Sequence, residues 1–373
     1  MIKKVGITGQ EGFIGKHLFN NLKLFENEFK CIEFKREFFN DELLLDNFVE
    51  ECDVIVHLAA MNRSNDPTLI YDNNLRLVNQ LIASLNRTKS KAHIIFSSSS
   101  QEEKNNLYGQ SKKEGRNRLE DWANNSGGIL TGLIIPNVFG PFGVPFYNSV
   151  VATFCYQLTH NEIPQIQVDG ELNLIYISEL VSVIINKIRK AEFEPCFIVP
   201  HTSTVKVSKI LEILNIYVAE YLLNGIIPKF DNLFELNLFN TFRSYIEFKL
   251  HYPVCLFKNV DNRGVFVEIL KLNSGGQISF STTLPGITRG NHFHTRKIER
   301  FAVIKGKALI QLRRIGTEDV LNFELSGDNP AYVDMPIWYT HNIKNIGDDE
   351  LVTIFWINEF FNRDDTDTFF EIV

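Results

Sequence analysis

Tyr108 and Lys112 are the first residues in the chain whose types and spacing suggest chemistry. A separation of four residues on a helix places both side chains on one face. A free tyrosine, with a pKa of about 10, is a poor acid–base group at neutral pH. A neighbouring ammonium group stabilises the phenolate and lowers this pKa. The pair is therefore a candidate for acid–base catalysis, with Tyr108 as the acid and Lys112 as its helper.

A second group of potentially reactive residues lies far along the chain, at His292, His294 and Glu299. Alternate residues of a strand face the same side, so the two imidazoles are expected to point together. Glu299, on the next predicted strand, can then meet them inside a barrel. Imidazoles with a carboxylate suit Zn²⁺, Fe²⁺, Mn²⁺ or Ni²⁺, and we favour zinc.

The third motif is a glycine loop, Gly9, Gly12 and Gly15, which directly follows a predicted strand and opens a predicted helix. The first glycine permits the tight turn, the second lets the backbone approach a pyrophosphate, and the third lets helix and strand pack closely. The free N–H groups of the helix then bind phosphate. This context predicts a dinucleotide site.

The choice of dinucleotide depends on the end of the second strand. Glu33 stands near the position where an acidic residue would bind the ribose 2′-OH of NAD. Lys35 and Arg36 follow it, and two cations there suit the 2′-phosphate of NADPH. We therefore expect NADPH.

These residues are positioned by two different kinds of structure. Strands are predicted at 5–8, 30–34, 53–58, 93–97 and 129–135, with helices at 13–25, 67–85 and 108–124 between them. This alternation predicts an α/β Rossmann-type doubly wound parallel sheet. After residue 250 the segments are short, extended and punctuated by Gly, Asn, Asp and Pro, which predicts an all-β barrel. We expect domains at 1–245 and 246–373.

Composition excludes several classes of function. A net charge of −7 argues against a nucleic-acid partner. Five widely spaced cysteines without a CxxC pair indicate a reducing compartment. The start MIKKVGITG shows no signal-peptide h-region, and no apolar run approaches the ~18 residues that span a bilayer. We expect a cytoplasmic protein without a membrane partner.

The first half resembles the extended short-chain dehydrogenase/reductase family. The resemblance rests on the GxxGxxG loop, His57-Leu58-Ala59-Ala60, the YxxxK pair, and Pro136-Asn137-Val138-Phe139-Gly140-Pro141. It implies Ser99 as the third catalytic residue, also in contact with substrate, with Ser98 and Ser100 as alternatives. It implies Asn137 and Asn148 as substrate contacts, although Ile134 replaces the family's arginine. The implied cofactor contacts are Gly9, Gly12, Phe13, Ile14, Gly15, Lys35, Arg36, Leu58, Ala59, Ala60, Tyr108 and Lys112.

The second half resembles the cupins. Gly286, His292-Phe293-His294, Glu299 and Gly306 reproduce the first cupin motif, and Pro336, His341 and Asn345 match part of the second. This implies His341 as a fourth metal ligand beside His292, His294 and Glu299. Trp338 replaces the glycine that is usual in the second motif, which puts the shape of that loop in doubt.

A reductase of this type followed by a metal cupin resembles the CapF family of bifunctional capsular polysaccharide biosynthesis proteins. That resemblance implies a homodimer that acts on a UDP-2-acetamido-2,6-dideoxy-4-hexulose, on the route to UDP-N-acetyl-L-fucosamine. The cupin would epimerise C3, and the first domain would reduce C4 with NADPH.

Three alternatives remain at the level of sequence. A dehydratase would place an Asp-Glu pair directly after the catalytic serine or threonine, where Ser100-Gln101 stand and Glu102-Glu103 are displaced. A 4-epimerase would retain and recycle NAD. The cupin could instead be a binding or dimerisation module with a structural metal. A sensor that uses NADPH only as a signal is disfavoured, because it has no need for the Tyr108 and Lys112 pair.

Overall fold

The computed structural model describes residues 2–262 and 264–373. The chain packs as two compact units. The first comprises the residues up to Thr153 together with Ile166–Ile210, and the second comprises Phe154–Gln165 together with Leu211–Val373. The domain boundary predicted between residues 245 and 246 lies within the second unit and stays a proposal about the two functional domains.

The first part of the chain alternates strands and helices. Its strands are β1 (Lys3–Thr8), β2 (Phe29–Ile32), β3 (Val54–His57), β4 (His93–Ser99), β5 (Ile129–Ile135), β6 (Asn137–Phe139), β7 (Glu171–Tyr176), β8 (Glu194–Ile198) and β9 (Ser203–Lys206). Its helices are α1 (Phe13–Lys23), α2 (Glu42–Glu51), α3 (Pro67–Arg87), α4 (Leu107–Ser126), α5 (Val150–Thr159), α6 (Ile177–Lys190) and α7 (Val207–Tyr217).

Six of these strands form one parallel sheet in the order β2-β1-β3-β4-β5-β8. The chain runs outward from β1 to β2 and then crosses to β3 on the other side of β1. Such a switch point opens a crevice at the carboxyl ends of the strands, where ligands bind. The strands β3 and β4 are buried along their whole length, as expected for a sheet covered by helices on both faces.

Local capping explains where the helices begin. Asp66 accepts a hydrogen bond from the Thr68 amide at the start of α3, and Pro67 occupies the first helical position. Asn106 accepts from the Gly109 amide at the start of α4, which ends at Gly127 in the left-handed conformation. The Asn106 cap fixes the first turn of α4, which carries Tyr108.

The second part of the chain begins with a π-helical turn (Val218–Leu222), α8 (Leu233–Arg243) and α9 (Phe248–His251). The strands are β10 (Ile226–Ile227), β11 (Val254–Cys255), β12 (Lys258–Asp261), β13 (Gly264–Val267), β14 (Lys271–Leu272), β15 (Gln277–Thr283), β16 (Thr288–Phe293), β17 (Glu299–Lys305), β18 (Lys307–Arg314), β19 (Val320–Ser326), β20 (Ala331–Met335), β21 (Tyr339–Asn345), β22 (Leu351–Ile357) and β23 (Phe369–Phe370).

Two antiparallel five-stranded sheets make up the core of the second unit. Their orders are β11-β20-β17-β22-β15 and β19-β18-β21-β16-β23. The apolar core between them includes Val303 and Val333 from the first sheet and Ile310, Phe323 and Ile343 from the second. The predicted fold class, a parallel α/β sheet followed by an all-β region, is confirmed.

A buried ion pair holds the helical residues of the second unit against this barrel. The Arg300 guanidinium donates to both carboxylate oxygens of Asp334 at 2.7 and 2.9 Å, and both side chains are almost fully buried. The Tyr221 hydroxyl donates to Asp334 at 2.6 Å, and Arg243 on α8 donates to the Met335 carbonyl oxygen at 3.2 Å. Residues 221–243 are therefore part of the packing of the barrel.

Across the described residues, no helix is both long enough and apolar enough to cross a membrane.

Candidate active site and metal centre

The glycine loop has the geometry that its sequence predicts. Gly9 has a φ of +76°, and a Cβ at that position would stand 2.8 Å from the Ala59 amide nitrogen. A Cβ on Gly15 would stand 2.3 Å from the Gly9 carbonyl oxygen. Gly12 caps α1, so Phe13 and Ile14 form its first turn. The loop thus brings the amino end of α1 to the carboxyl end of β1, the arrangement that cradles a pyrophosphate.

The neighbouring strand end contributes Leu58, Ala59 and Ala60, all partly exposed. The Ala59 amide donates to the Thr8 hydroxyl at 3.3 Å, which ties this turn to the glycine loop. Burial lowers the pKa of His57 to about 3, and the Lys112 charge acts in the same direction. His57 is therefore a neutral structural residue that shares a hydrogen bond with Thr8 at 2.7 Å.

Lys35 and Arg36 follow β2, at the carboxyl end of the same parallel sheet. Arg36 begins a short 3₁₀ helix, Arg36–Asn40, and both side chains are exposed to solvent. The Lys35 ammonium lies 3.3 Å from the Glu33 carboxylate. An exposed pair of this kind contributes little to stability, so Lys35 is free to turn to an anionic ligand.

Ser99, Tyr108 and Lys112 come together at the carboxyl end of β4. Ser99 is the last residue of that strand, and its side chain hydrogen-bonds Tyr108. The Lys112 ammonium lies 5.9 Å from the centre of the Tyr108 ring and donates to the Ser97 carbonyl oxygen at 2.8 Å. Ser98 binds Glu102 instead, so Ser99 is the hydroxyl in this run that contacts the phenol.

The electrostatics of this cluster differ from the expectation that Lys112 lowers the pKa of Tyr108. Burial raises the pKa of Tyr108 to about 12, while the Ser99 hydrogen bond opposes that rise. Burial also lowers the pKa of Lys112 to about 8, against the attraction of Glu102. Desolvation dominates because both groups are largely buried, and the Lys112 ammonium lies 5.3 Å from the centre of the apolar Phe96 ring. As the structure stands, Tyr108 is a protonated phenol ready to donate.

Two supporting groups were missed by sequence reasoning. Glu102 accepts from Arg116 through both carboxylate oxygens at 3.0 Å, and both side chains are about nine-tenths buried. Asn74 on α3 accepts from the Met61 amide at 2.7 Å and donates to Ser111 on α4 at 3.0 Å. Both residues brace the elements that carry the cluster, but neither the type nor the spacing of Glu102 or Asn74 in the sequence signals such a role.

The two predicted substrate contacts are exposed residues of the same unit. Asn137 begins β6 and donates to the Asn173 carbonyl oxygen at 3.2 Å. Asn148 precedes α5 and donates to the Asn62 carbonyl oxygen at 3.4 Å. Arg63 donates to the carbonyl oxygens of Phe146 and Tyr147, which fixes this loop. The hydrogen bonds of Asn137 and Asn148 go to these carbonyl oxygens and not to Tyr108, and the roles of both residues stay predictions.

The four predicted metal ligands converge between the two sheets of the barrel. One ligand atom from each of His292, His294, Glu299 and His341 lies within 4.8 Å of the other three. The Glu299 carboxylate is 3.2 Å from His294 Nε2 and 3.0 Å from His341 Nε2. These three facing atoms are buried and lack a well-aligned hydrogen-bond partner, so their lone pairs fit a metal ion.

The outer nitrogens of two ligands are already fixed. His294 Nδ1 donates to the Asp367 carbonyl oxygen at 2.5 Å, and His341 Nδ1 lies 3.2 Å from the Tyr339 carbonyl oxygen. Because a carbonyl oxygen only accepts, Nδ1 carries the proton and Nε2 is left as a metal ligand. Burial would raise the pKa of Glu299, but the adjoining His294 and His341 side chains oppose burial and hold this pKa well below its ordinary value.

A β-bulge aims the histidines inward. In the pairing of β16 with β21, Gly290 is opposite Asn342 and His292 is opposite His341, which leaves Asn291 as the extra residue. Asn291 takes a φ of +58°. Without this extra residue, His292 would pair with Thr340 and face away from the core. The bulge therefore assembles the ligand set.

Trp338 preserves the loop shape that the missing glycine put in doubt. It takes a φ of +61°, the left-handed conformation that glycine favours. Its amide donates to the His294 carbonyl oxygen at 2.8 Å, and its ring stacks on Phe293 with 5.6 Å between centroids. These contacts offset the backbone strain, so the position keeps the glycine-like turn.

Comparison with known proteins follows the same division of the chain. Residues 5–195 match the NAD dependent epimerase/dehydratase family, and residues 259–369 match the polysaccharide biosynthesis C-terminal domain. The spore coat polysaccharide biosynthesis protein SpsL of Bacillus subtilis is 27% identical over 124 residues, which cover 30% of this chain and 81% of that protein.

Two relatives match over the full length. The UDP-2-acetamido-2,6-beta-L-arabino-hexul-4-ose reductase of Pseudomonas aeruginosa is 32% identical over 98% of both chains. The crystal structure of the capsular polysaccharide assembling protein CapF from Staphylococcus aureus is 35% identical, with a TM-score of 0.63 over 99% of this chain and 100% of that one. The chain therefore belongs to the NAD dependent epimerase/dehydratase family, within the CapF-type group that adds a polysaccharide biosynthesis C-terminal domain.

Proposed function

We propose that the protein reduces C4 of a UDP-2-acetamido-2,6-dideoxy-4-hexulose with NADPH, after epimerisation at C3 by its metal-binding cupin domain. The product would enter the synthesis of UDP-N-acetyl-L-fucosamine for a surface polysaccharide. The observation that carries the proposal is the Ser99, Tyr108 and Lys112 cluster, which lies at the carboxyl end of the sheet that also carries the glycine loop. The full-length reductase relative supports the choice of substrate.

In the proposed reduction, bound NADPH supplies the hydride to C4. Tyr108, protonated because its pKa is raised to about 12, delivers a proton to the C4 oxygen. The Ser99 hydroxyl, which hydrogen-bonds Tyr108, orients the same oxygen. Lys112 stabilises the phenolate once the proton has left, and its own pKa of about 8 allows it to return a proton at neutral pH.

In the proposed epimerisation, His292, His294, Glu299 and His341 would hold a divalent metal, for which we favour zinc. Such a metal would act as a Lewis acid toward the enediolate that forms when the C3 proton leaves. The chain's part is to present Nε2 of His294 and His341 and the Glu299 carboxylate at one point between the sheets.

The structure also bears on the dehydratase alternative. A dehydratase needs a carboxyl group that can donate and accept protons next to the substrate. Two nitrogens of the Arg116 guanidinium and the Ser98 hydroxyl donate hydrogen bonds to Glu102. Its carboxylate is engaged by these contacts rather than available to exchange protons with a substrate. This favours reduction over dehydration.

One experiment tests both halves of the proposal. The 4-hexulose is turned over with NADPH in D₂O, and the product is examined by NMR. A C4-reduced product with deuterium at C3 is the expected result. Reduction without deuterium would leave the cupin as a binding or dimerisation module, and absence of reduction would refute the assigned substrate.

The NADPH preference is tested by changing the two cations beyond β2. Lys35→Ala with Arg36→Ala should raise the KM for NADPH at least 10-fold and leave the KM for NADH nearly unchanged, because the 2′-phosphate loses its counter-charges. The control is Lys30→Ala, because Lys30 is an exposed lysine within β2 itself. Equal effects on both cofactors would contradict the assignment.

We also propose that the protein works as a homodimer, with functional domains at residues 1–245 and 246–373. Sedimentation of the purified protein measures the first point directly, and a monomer at micromolar concentration would contradict it.

A further inference from the structure

The loop between two of the metal ligands lacks a scaffold of its own. Residues 295–298 connect His294 to Glu299, and none of them is in a strand or helix. Their backbone amides point toward a segment much later in the chain, residues 358–371, which we call the C-terminal segment. The loop's geometry, and with it the spacing of His294 and Glu299, depends on what that segment provides.

The C-terminal segment satisfies all four amides of this loop with two side chains. The Asp367 carboxylate accepts from the amides of Thr295, Arg296 and Lys297 at 3.0 to 3.1 Å, and from the Thr295 hydroxyl at 2.6 Å. The Asn358 side-chain oxygen accepts from the Ile298 amide at 2.8 Å. A carboxylate that accepts several amides at once forms strong, charge-assisted hydrogen bonds.

Asp367 also reaches a ligand directly. Its backbone carbonyl oxygen accepts from His294 Nδ1 at 2.5 Å. This contact selects the tautomer in which Nε2 is the metal-binding atom. Asp367 is 6% exposed and takes a φ of +43°, so its main chain is held in an uncommon conformation while its two ends contact the loop and the histidine.

Further contacts hold the segment in place on either side of Asp367. Lys297 Nζ donates to the Thr366 carbonyl oxygen at 2.7 Å. Strand β23 pairs with β16, so that Phe370 is opposite His292 and Phe369 is opposite Phe293. The Phe369 and Phe293 rings stack with 5.3 Å between centroids. The segment therefore lies against two ligand-bearing positions, His292 and His294.

We infer that Asp367 is a positioning residue of the metal centre, and that residues 358–371 act as its supporting shell. Asp367 does not bind the metal in this assignment. It fixes the His294 tautomer with its carbonyl oxygen and the His294 to Glu299 spacing with its carboxylate. The inference rests on the proposed metal site but not on what the metal does to a sugar.

The test is metal affinity, measured on the full chain without substrate. Asp367→Asn removes the charge and one of the two acceptor oxygens while keeping the size of the side chain. We expect it to weaken Zn²⁺ binding 10- to 100-fold in competition with a chromophoric chelator, the usual effect of losing a supporting contact. The control is Asp365→Asn, two residues away, whose exposed carboxylate binds the Arg296 side chain rather than the loop amides. It should change the affinity less than 3-fold.

A second measurement separates positioning from general destabilisation. Co²⁺ in place of zinc gives visible absorption bands whose intensity reports the coordination geometry. We expect the Asp367→Asn bands to shift or weaken at saturating Co²⁺, whereas those of Asp365→Asn should match the wild type. If Asp367→Asn does not fold, Thr295→Val removes one hydroxyl contact to Asp367 and should weaken Zn²⁺ binding by a smaller factor, about 5-fold, which still exceeds the limit set for the control.

Wild-type affinity and unchanged Co²⁺ bands in Asp367→Asn would overturn the inference. That outcome differs from failure of the proposed function, in which the wild-type protein binds Zn²⁺ but exchanges no deuterium into C3.

Discussion

At the scale of single residues, Lys112 combines a functional position with a cost in stability. It is 4% exposed, and burial lowers its pKa to about 8, below the ~10.4 of an unfolded lysine. Between these values the unfolded chain binds a proton that the folded chain does not, so stability rises with pH across this window. At pH 7 the buried charge costs about 3 kcal/mol, from roughly two pKa units at 1.36 kcal/mol each.

We therefore predict that Lys112→Met destroys the reduction yet does not destabilise the protein at pH 7. The difference in unfolding free energy between variant and wild type should favour the variant by about 1–3 kcal/mol at pH 7 and shrink toward pH 10. Urea unfolding at both pH values measures it, with the exposed neighbour Lys113→Met as the control. A difference that does not change with pH would contradict the assigned pKa.

Tyr108 is expected to affect the rate of reduction and not the binding of the cofactor. Tyr108→Phe removes the proton donor while retaining the ring, so the reduction rate should fall by about 10²- to 10⁴-fold with little change in cofactor binding. Tyr71→Phe on α3 removes the hydroxyl of a tyrosine that is not a member of the cluster, and it is the matched control. A loss below 10-fold in Tyr108→Phe would point to another acid.

At the scale of elements, the loop before β21 accommodates Trp338 at a position where glycine is usual. The left-handed backbone of Trp338 is strained, and the ring stack on Phe293 and the hydrogen bond to the His294 carbonyl oxygen offset this strain. Replacement by Gly or Ala removes the stack in both cases, but Ala keeps the strain. We predict that Trp338→Ala is less stable than Trp338→Gly by about 1 kcal/mol.

The adjacent Ile337 provides an internal comparison for that prediction. Its φ is not positive, so at Ile337 the order should reverse, with the Gly variant less stable than the Ala variant. Thermal or urea unfolding of the four variants decides the matter. If the Ala variant were more stable than the Gly variant at both positions, the left-handed conformation of Trp338 would carry no strain.

The elements also show how far sequence reasoning reaches. The glycine loop, the YxxxK pair and the HxH pattern are local, so their spacing alone predicts the strand, turn or helix that carries them. The bulge at Asn291 was not predictable, because nothing in Gly290-Asn291-His292 specifies which residue is left unpaired. Asp367 binds residues about 70 positions earlier in the chain, and Glu102 forms a buried ion pair with Arg116. The order of residue types along the sequence does not show either contact.

At the scale of the whole chain, the buried Arg300 and Asp334 pair bears on where the barrel can be separated. A fragment that begins at residue 246 lacks Tyr221, which donates to Asp334, and Gly225, whose carbonyl oxygen accepts from Arg300 at 2.7 Å. A buried ion pair that loses hydrogen-bond partners is costly.

We predict that a fragment of residues 211–373 has a higher urea midpoint than one of residues 246–373. The loss of two partners to the ion pair should cost the shorter fragment at least about 2 kcal/mol. Each fragment is compared with and without Zn²⁺, so that metal loading does not obscure the difference. Equal midpoints would support the boundary at 245/246 as a structural as well as a functional one.

The contact between β23 and β16 has a consequence for the biosynthesis of the protein. The ribosome makes the four ligands before it makes residues 366–371, which brace two of them. A nascent chain can therefore carry every metal-binding side chain while their arrangement is still incomplete. On the proposed assignments, metal capture at full affinity would be a late event, and the α/β sheet, finished many codons earlier, could acquire the proposed nucleotide first.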